Sequence, residues 1–260
     1  MGTSDFLLRD IPALKKQRVF RLGLSASFGL DAAGVREALE RMQYVFVTAR
    51  MPFPAVREAL ARDRERYVVV AGPTFGWFPG AVRRSVERML RKLGTEYLDV
   101  LQLYWLSKMS AFTPRVQEEM VRLREEGKVR ALGVSIHDRP RAGRLAEDSI
   151  LDLLMIRYNA AHPGAEQDVF PHLARRRPAV VAYTATSWRR LLRAPSGFDG
   201  RAATAGDCYR FCLGSPHVDV VLTGPRTAAE LRDNLAAVER GPLDAGELEW
   251  IRSLGRAVHG

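Results

Sequence analysis

The stretch "KLGTEYLDVLQLYW", Lys92 to Trp105, holds a complete structural unit. It reads as a helix end, a turn at Gly94 and a short buried strand. A glycine just past a helix supplies the left-handed cap that side-chain-bearing residues resist. The strand that follows is apolar almost throughout rather than alternating, the pattern of a parallel strand covered on both faces. The polar residues that end it, Tyr104 and the indole of Trp105, sit where such a strand reaches its carboxyl end.

The same unit recurs on either side. "VFRLGLS" (Val19 to Ser25) reads as strand one, "YVFVTA" and "YVVVAG" as strands two and three, "VRALGVS" as five, "LDLLMIRYN" as six, "AVVAYT" as seven and "VDVVLTG" as eight. Amphipathic stretches alternate with them. "DAAGVREALERM" has Asp31 as N-cap, "PGAVRRSVERMLRKLG" opens on proline, and "TPRVQEEMVRLREEG" has Thr113 as N-cap with proline behind it. A short helix follows in "RPRAGRLAED", and helix six is expected from Ala165 to Ala174. "TAAELRDNLAAVE" and "DAGELEWIRSLGRAV" end the chain as helices, and Thr74–Pro79 and Ala194–Gly206 are expected as irregular loops. Eight such units predict an α/β fold closed into a (β/α)8 TIM barrel, as a single domain over residues 1–260. An open doubly wound sheet is the competing architecture, weakened by the lack of G-x-G-x-x-G after strand one. In a barrel the loops after the strands carry the site.

Composition sets outer bounds. The chain is 47% hydrophobic and 27% charged, with a formal net charge of +10 and pI near 10.1. The excess is arginine, spread along helices with acidic partners, as in "VRLREEGKVR". That is a solvated, ion-paired helix face rather than a nucleic-acid footprint. Cys208 and Cys212 match neither a zinc nor a redox pair and read as reduced thiols. No run is long and apolar enough to span a membrane, no signal peptide is evident, and Phe6 breaks the myristoylation pattern. A cytoplasmic protein is expected, with no metal site.

The opening stretch resembles the passage from helix three to strand four of the aldo-keto reductases, written there roughly as LRRLGTDYIDLYLLHW. "RLGLS", "LREEGKVRALGVS", "IRYN", "VVAYT" and "VLTGPRTAAELRDN" extend the resemblance over nearly the whole chain. It implies a barrel that reduces carbonyls with NADPH, a Tyr donating the proton while a Lys, an Asp and a His assist. The family's FDTAxxYG is here "FVTARMPF", so Val47 stands at the Asp position and Pro52 or Phe53 at the Tyr position. Gly72 stands at the Lys position and Tyr104 at the His position. The phenol of such a site needs a nearby cation, because an unperturbed Tyr titrates far above neutrality.

The resemblance also assigns cofactor residues. Ser135 matches a serine on the nicotinamide carboxamide, although Ile136 replaces the following Asn and Met155 the strand-six Gln. Tyr183, with Thr184 beside it, matches the Tyr that stacks under the nicotinamide ring. Gly224, Arg226, Thr227 and Asn234 match a phosphate loop, with Gly224 open to close approach and Arg226 able to pair with phosphate. Glu230 falls where the family uses Gln or Arg near the adenosine phosphate, and a carboxylate there repels a 2′-phosphate. NADP and NAD both stay open.

Tyr104 is the candidate catalytic acid, set against a buried Tyr whose hydroxyl is capped by a neighbour. His137 is a second candidate donor, set against a solvated loop His. Arg50 and Lys108 are either replacement cations or exposed loop charges. His162 and His172 read as structural, and Asn159 as a backbone-orienting residue. The aromatics of "TFGWFPG" line a pocket or pack on their own barrel. Two functions follow: an NAD(P)-binding oxidoreductase with a proton donor unlike the family's, or an inactive barrel serving as a nucleotide- or protein-binding regulator.

Overall fold

The computed structural model describes residues 6–259. Eight parallel strands close into a barrel: β3 (Leu22–Leu24), β4 (Tyr44–Phe46), β5 (Val68–Ala71), β6 (Leu98–Leu103), β7 (Val129–Ile136), β8 (Leu153–Arg157), β9 (Ala179–Tyr183) and β10 (Val220–Thr223), the last pairing back onto β3. The expected (β/α)8 barrel is the observed fold. Each strand's period of two divides its side chains between two cores. Val100, Ala131, Leu153, Met155, Val181 and Val220 fill the barrel interior. Their alternates, such as Leu101, Leu132, Leu154 and Val221, pack against the helices.

Those helices are α1 (Ala32–Arg41), α2 (Phe53–Arg62), α3 (Pro79–Leu93), α4 (Pro114–Glu125), α5 (Arg139–Glu147), α6 (Ala165–Asp168), α7 (Ala205–Gly214), α8 (Ala228–Glu239) and α9 (Ala245–His259). Their ends follow the expected chemistry. Asp31 and Thr113 accept the amides of Gly34 and Val116, and Gly94 caps α3 with φ +64°. Among the described residues no helix is long and apolar enough to cross a membrane.

Three expectations need correction. The segment read as strand one is two strands, β2 (Lys16–Phe20) and β3, separated by Arg21. β2 pairs antiparallel with β1 (Leu8–Ile11) instead of joining the barrel. This hairpin places Ile11, Leu14 and Val19 into the interior core, closing the barrel at the end from which its strands start. The expected helix six is shorter, with α6 followed by a 3-10 turn at Phe170–Leu173, where Pro171 removes a backbone donor. The loop expected at Ala194–Gly206 runs into α7. A capping box between Thr204 and Asp207 starts that helix, and Gly206 through Leu213 are all buried, so it carries no amphipathic stripe to betray it.

Arg21 ties the hairpin to the barrel. It is 1% exposed. Its guanidinium donates to the carbonyls of Phe6, Leu213, Val218 and Asp219 at 3.0, 3.0, 2.6 and 3.2 Å. Burial lowers its pKa to about 10, which leaves it charged at neutral pH. Replacing it with methionine strands these buried acceptors. Arg21→Met should lose about 3 kcal/mol of unfolding free energy in a denaturant titration, and an unchanged midpoint would show that the staple contributes nothing.

Candidate active site at the barrel mouth

The alternation that fills the interior also defines the mouth. Continuing each inward-facing row to the carboxyl end brings Phe46, Tyr104, Ser135, His137, Arg157, Tyr183 and Leu222 to one opening. Phe46, Tyr183 and Leu222 are half-buried there, packed on the interior core.

The residues standing at the family's catalytic positions do not rebuild its proton-donating group. Val47 is fully buried in the outer core. Pro52 precedes α2, and the Phe53 ring lies 5.1 Å from the Lys92 Nζ in the helix layer. Gly72 is closed as well as bare. A Cβ built on it would lie 1.7 Å from the Gln102 carbonyl oxygen and 2.8 Å from its carbon. No side chain, lysine least of all, enters the mouth from this backbone. The Gln102 side chain turns inward and donates to the Met155 sulfur at 3.2 Å, leaving its own oxygen buried without a partner.

Tyr104 does face the mouth, its ring 5.4 Å from that of Phe46. Its hydroxyl donates to the Val47 carbonyl at 3.0 Å. Burial pushes this phenol well above its ordinary pKa, and the Gly72 backbone only partly opposes the shift. The proton is therefore committed, and no cation stands among the groups that act on it. Arg50 and Lys108 are exposed loop charges.

Ser135 and Tyr183 belong to one connected network. The Ser135 hydroxyl accepts the Trp105 amide at 2.8 Å, and the Trp105 indole N–H donates to His137. The His137 ring meets the Tyr183 hydroxyl at 2.8 Å through Nε2, with the rings edge-to-face. Burial, then the nearby Arg157, lower the His137 pKa, so the ring is neutral at pH 7. Tyr183 is pushed up to about 12 by burial. Thr184 follows with φ +54°, its carbonyl accepting from Asn159 at 2.8 Å. Asn159 thus orients backbone, as expected. His162 and His172 are likewise held, by Asn159 and Glu147.

Left-handed backbone away from glycine concentrates here. Trp105, Ser107, Thr184, Ser187, Trp188 and Arg189 all have positive φ, on the two loops after β6 and β9. Such conformations persist only where neighbours over-determine them. At Trp105 these neighbours are Ser135 and the amides of Lys108 and Met109, which donate to its carbonyl.

The residues matched to a phosphate loop form a second group. Gly224 lies under the exposed ring of Phe28, which occupies the space a Cβ would need. The Arg226 amide donates to Glu230 Oε2 at 2.8 Å, and its guanidinium grips Oε1 through Nε and Nη2 at 3.1 and 2.7 Å. Arg226 holds the Glu230 carboxyl below its usual range. Thr227 caps α8 by accepting the Glu230 amide. Asn234 is buried, donating to Thr223, which in turn donates to Tyr209. The loop therefore cradles an anion, and that anion is its own carboxylate.

The flank holds a cleft of about 910 Å³ lined by Tyr158, Phe170, Phe211 and Leu243. Its arginines are paired, Arg177 with Asp219, Arg210 with Glu247 and Arg252 with Glu166, and none of the mouth or phosphate-loop residues lines it. Among the described residues no group of three or more His, Cys, Asp or Glu is placed to hold a metal.

The model of the aldo/keto reductase family matches residues 37–191. With the barrel, this shows that the chain belongs to that family. It is 28% identical over 95 residues to the NADH-specific methylglyoxal reductase of Escherichia coli (strain K12), covering 36% of this chain and 29% of that protein. It is 30% identical over 170 residues to methylglyoxal reductase YeaE of the same organism, covering 59% and 57%. The matched stretches thus span little more than half of these relatives at most. Among solved structures, the apo aldo-keto reductase AKR11C1 from Bacillus halodurans superposes with TM-score 0.75 at 21% identity, covering 95% of each chain. An aldo/keto reductase from Klebsiella pneumoniae in complex with NADP and acetate gives 0.75 at 21%, covering 96% and 95%. At these identities the structures speak for the fold.

The closure at Gly72 is testable. Gly72→Ala should cost about 1–3 kcal/mol or more, because the new methyl meets backbone that has no flexible end to yield. A variant as stable as wild type in guanidinium would mean the strand spacing is looser than described.

Proposed function

We propose that the chain, working as one barrel domain, is an NAD(P)-dependent oxidoreductase that reduces a small carbonyl compound. The observation that carries this reading is the Ser135–Trp105–His137–Tyr183 network. It holds a serine hydroxyl and a tyrosine ring at the positions where the family contacts nicotinamide. In this reading Ser135 orients the carboxamide, the Tyr183 face supports the ring, and Thr184 sets the loop beside it. Gly224, Arg226, Thr227 and Asn234 would hold or shape the phosphate end, with Phe28 swinging off Gly224. Bound reduced nicotinamide supplies hydride to the carbonyl carbon. The candidate proton donor to the carbonyl oxygen is Tyr104, which must first release Val47. A cytoplasmic location and a small-molecule substrate rather than nucleic acid belong to the same reading.

Glu230 favours NADH. A 2′-phosphate must displace a carboxylate already seated on Arg226, and meets its negative charge on arrival. The pair is exposed and screened, so displacement is disfavoured rather than blocked. One curated relative is itself described as NADH-specific. Glu230→Gln should improve NADPH binding relative to NADH by about tenfold, read by cofactor fluorescence. An unchanged ratio would remove Glu230 as the discriminator.

The closed Gly72 position favours a second reading, a barrel that binds a nucleotide or a protein without turning over. NADH oxidation with methylglyoxal and other small carbonyls separates the two. Turnover that falls at least about a hundredfold in Tyr104→Phe supports reduction with Tyr104 as acid. Turnover that survives this change removes Tyr104 from the mechanism, and no turnover at all favours the binding barrel.

A further inference from the structure

Arg157 ends β8 in the inward-facing row of Leu153 and Met155, and its register partner across the sheet is Tyr183. It is half-buried. The other half-buried arginines of the described residues each have an acceptor: Arg9 and Arg177 share Asp219, Arg64 has Asp99, Arg83 has Glu119, Arg124 has Asp152, Arg139 has Asp168, Arg252 has Glu166 and Arg141 has the Ser107 hydroxyl. Arg157 has neither a carboxylate nor any hydrogen-bond acceptor among these residues. Its one contact of note is with the Trp188 ring, 5.5 Å from the guanidinium carbon. A partly desolvated guanidinium with all five donors free is costly unless something accepts them.

Its surroundings are short of acceptors. The Tyr183 phenol, the neutral His137 ring and the Trp105 indole lie on the same side of the opening, already joined to one another. The adjacent acid, Asp138, is turned away to cap α5 through the Arg141 amide. The positive field of Arg157 reaches His137, Tyr183 and His162. Trp188 lies beside Arg157 and Trp105 beside His137, and the two indoles, 54% and 44% exposed, add apolar surface there. A cation with free planar donors beside apolar surface matches a planar oxyanion.

We propose that Arg157 is the anion receptor of the mouth and seats the carboxylate of a carboxylate-bearing carbonyl substrate, such as a 2-oxo acid. This rests on the carbonyl-reductase reading for the word substrate, while the anion site stands on geometry alone. The same oxyanion chemistry has a second source, the pyrophosphate of a dinucleotide, and the test separates them.

The test needs no cofactor and no turnover, so its failure is distinct from failure of the reductase reading. Tryptophan fluorescence is followed while the full chain is titrated with oxamate, an unreactive 2-oxo-acid isostere, with its neutral methyl ester, and with inorganic pyrophosphate. Oxamate should bind saturably and the ester should not. Arg157→Met should weaken oxamate by at least about tenfold, and Arg157→Lys should fall between, keeping charge without the planar fork. The wild-type contrast between oxamate and ester stands even if the methionine variant fails to fold. Equal binding by Arg157→Met and wild type, no saturable oxamate binding, or binding of pyrophosphate but not oxamate would each overturn the proposal.

Discussion

The approach of Gly72 to the Gln102 carbonyl sets what the rest of the mouth can be. Where β5 ends against β6, the Gln102 carbonyl occupies the space a Cβ would need, so only a residue without one fits. This removes the family's lysine by geometry as well as by sequence. Without that cation, only the Gly72 backbone opposes the rise that burial imposes on the pKa of the Tyr104 phenol. Tyr104 accordingly sits with its proton on the Val47 carbonyl and its pKa raised.

The polar organisation of the opening lies on one side. On the β7, β8 and β9 side, Ser135, His137, Arg157 and Tyr183 form the cluster that the β4 and β5 side lacks. Trp105, on the loop after β6, joins this side, its amide on Ser135 and its indole on His137. Left-handed backbone on the two flanking loops gives this side a fixed shape. Below it the hairpin plug and the buried Arg21 close the opposite end.

Most of the fold was legible because each barrel strand is a largely apolar run and most helices carry an amphipathic stripe with recognisable caps. What escaped had no such signal. Val19 and Phe20 at the end of β2 run on into the apolar β3 with only Arg21 between them, so the two read as one strand. α7 is buried all round, and its cap lay inside a stretch that looked like loop. At the site, Ser135 and Tyr183 were legible from the resemblance, and the structure joins them in one network. Asn234 faces Thr223 and Tyr209 within the fold. Glu230 was visible as a misplaced carboxylate, but its grip on Arg226 required coordinates. Arg157 ends a strand like many surface arginines, and only the barrel's alternation turns it inward. The closure at Gly72 depends on a neighbour thirty residues away and leaves no local trace.

The central claim is that the rebuilt side of the mouth still receives a reduced nicotinamide ring. Energy transfer from tryptophan to bound NADH tests it directly, because Trp105 is hydrogen-bonded into the network that would hold the ring. The account predicts saturable transfer in the wild-type protein, with affinity reduced in Tyr183→Ala. A folded protein that shows no transfer, or binds NADH equally well without the Tyr183 ring, would contradict it.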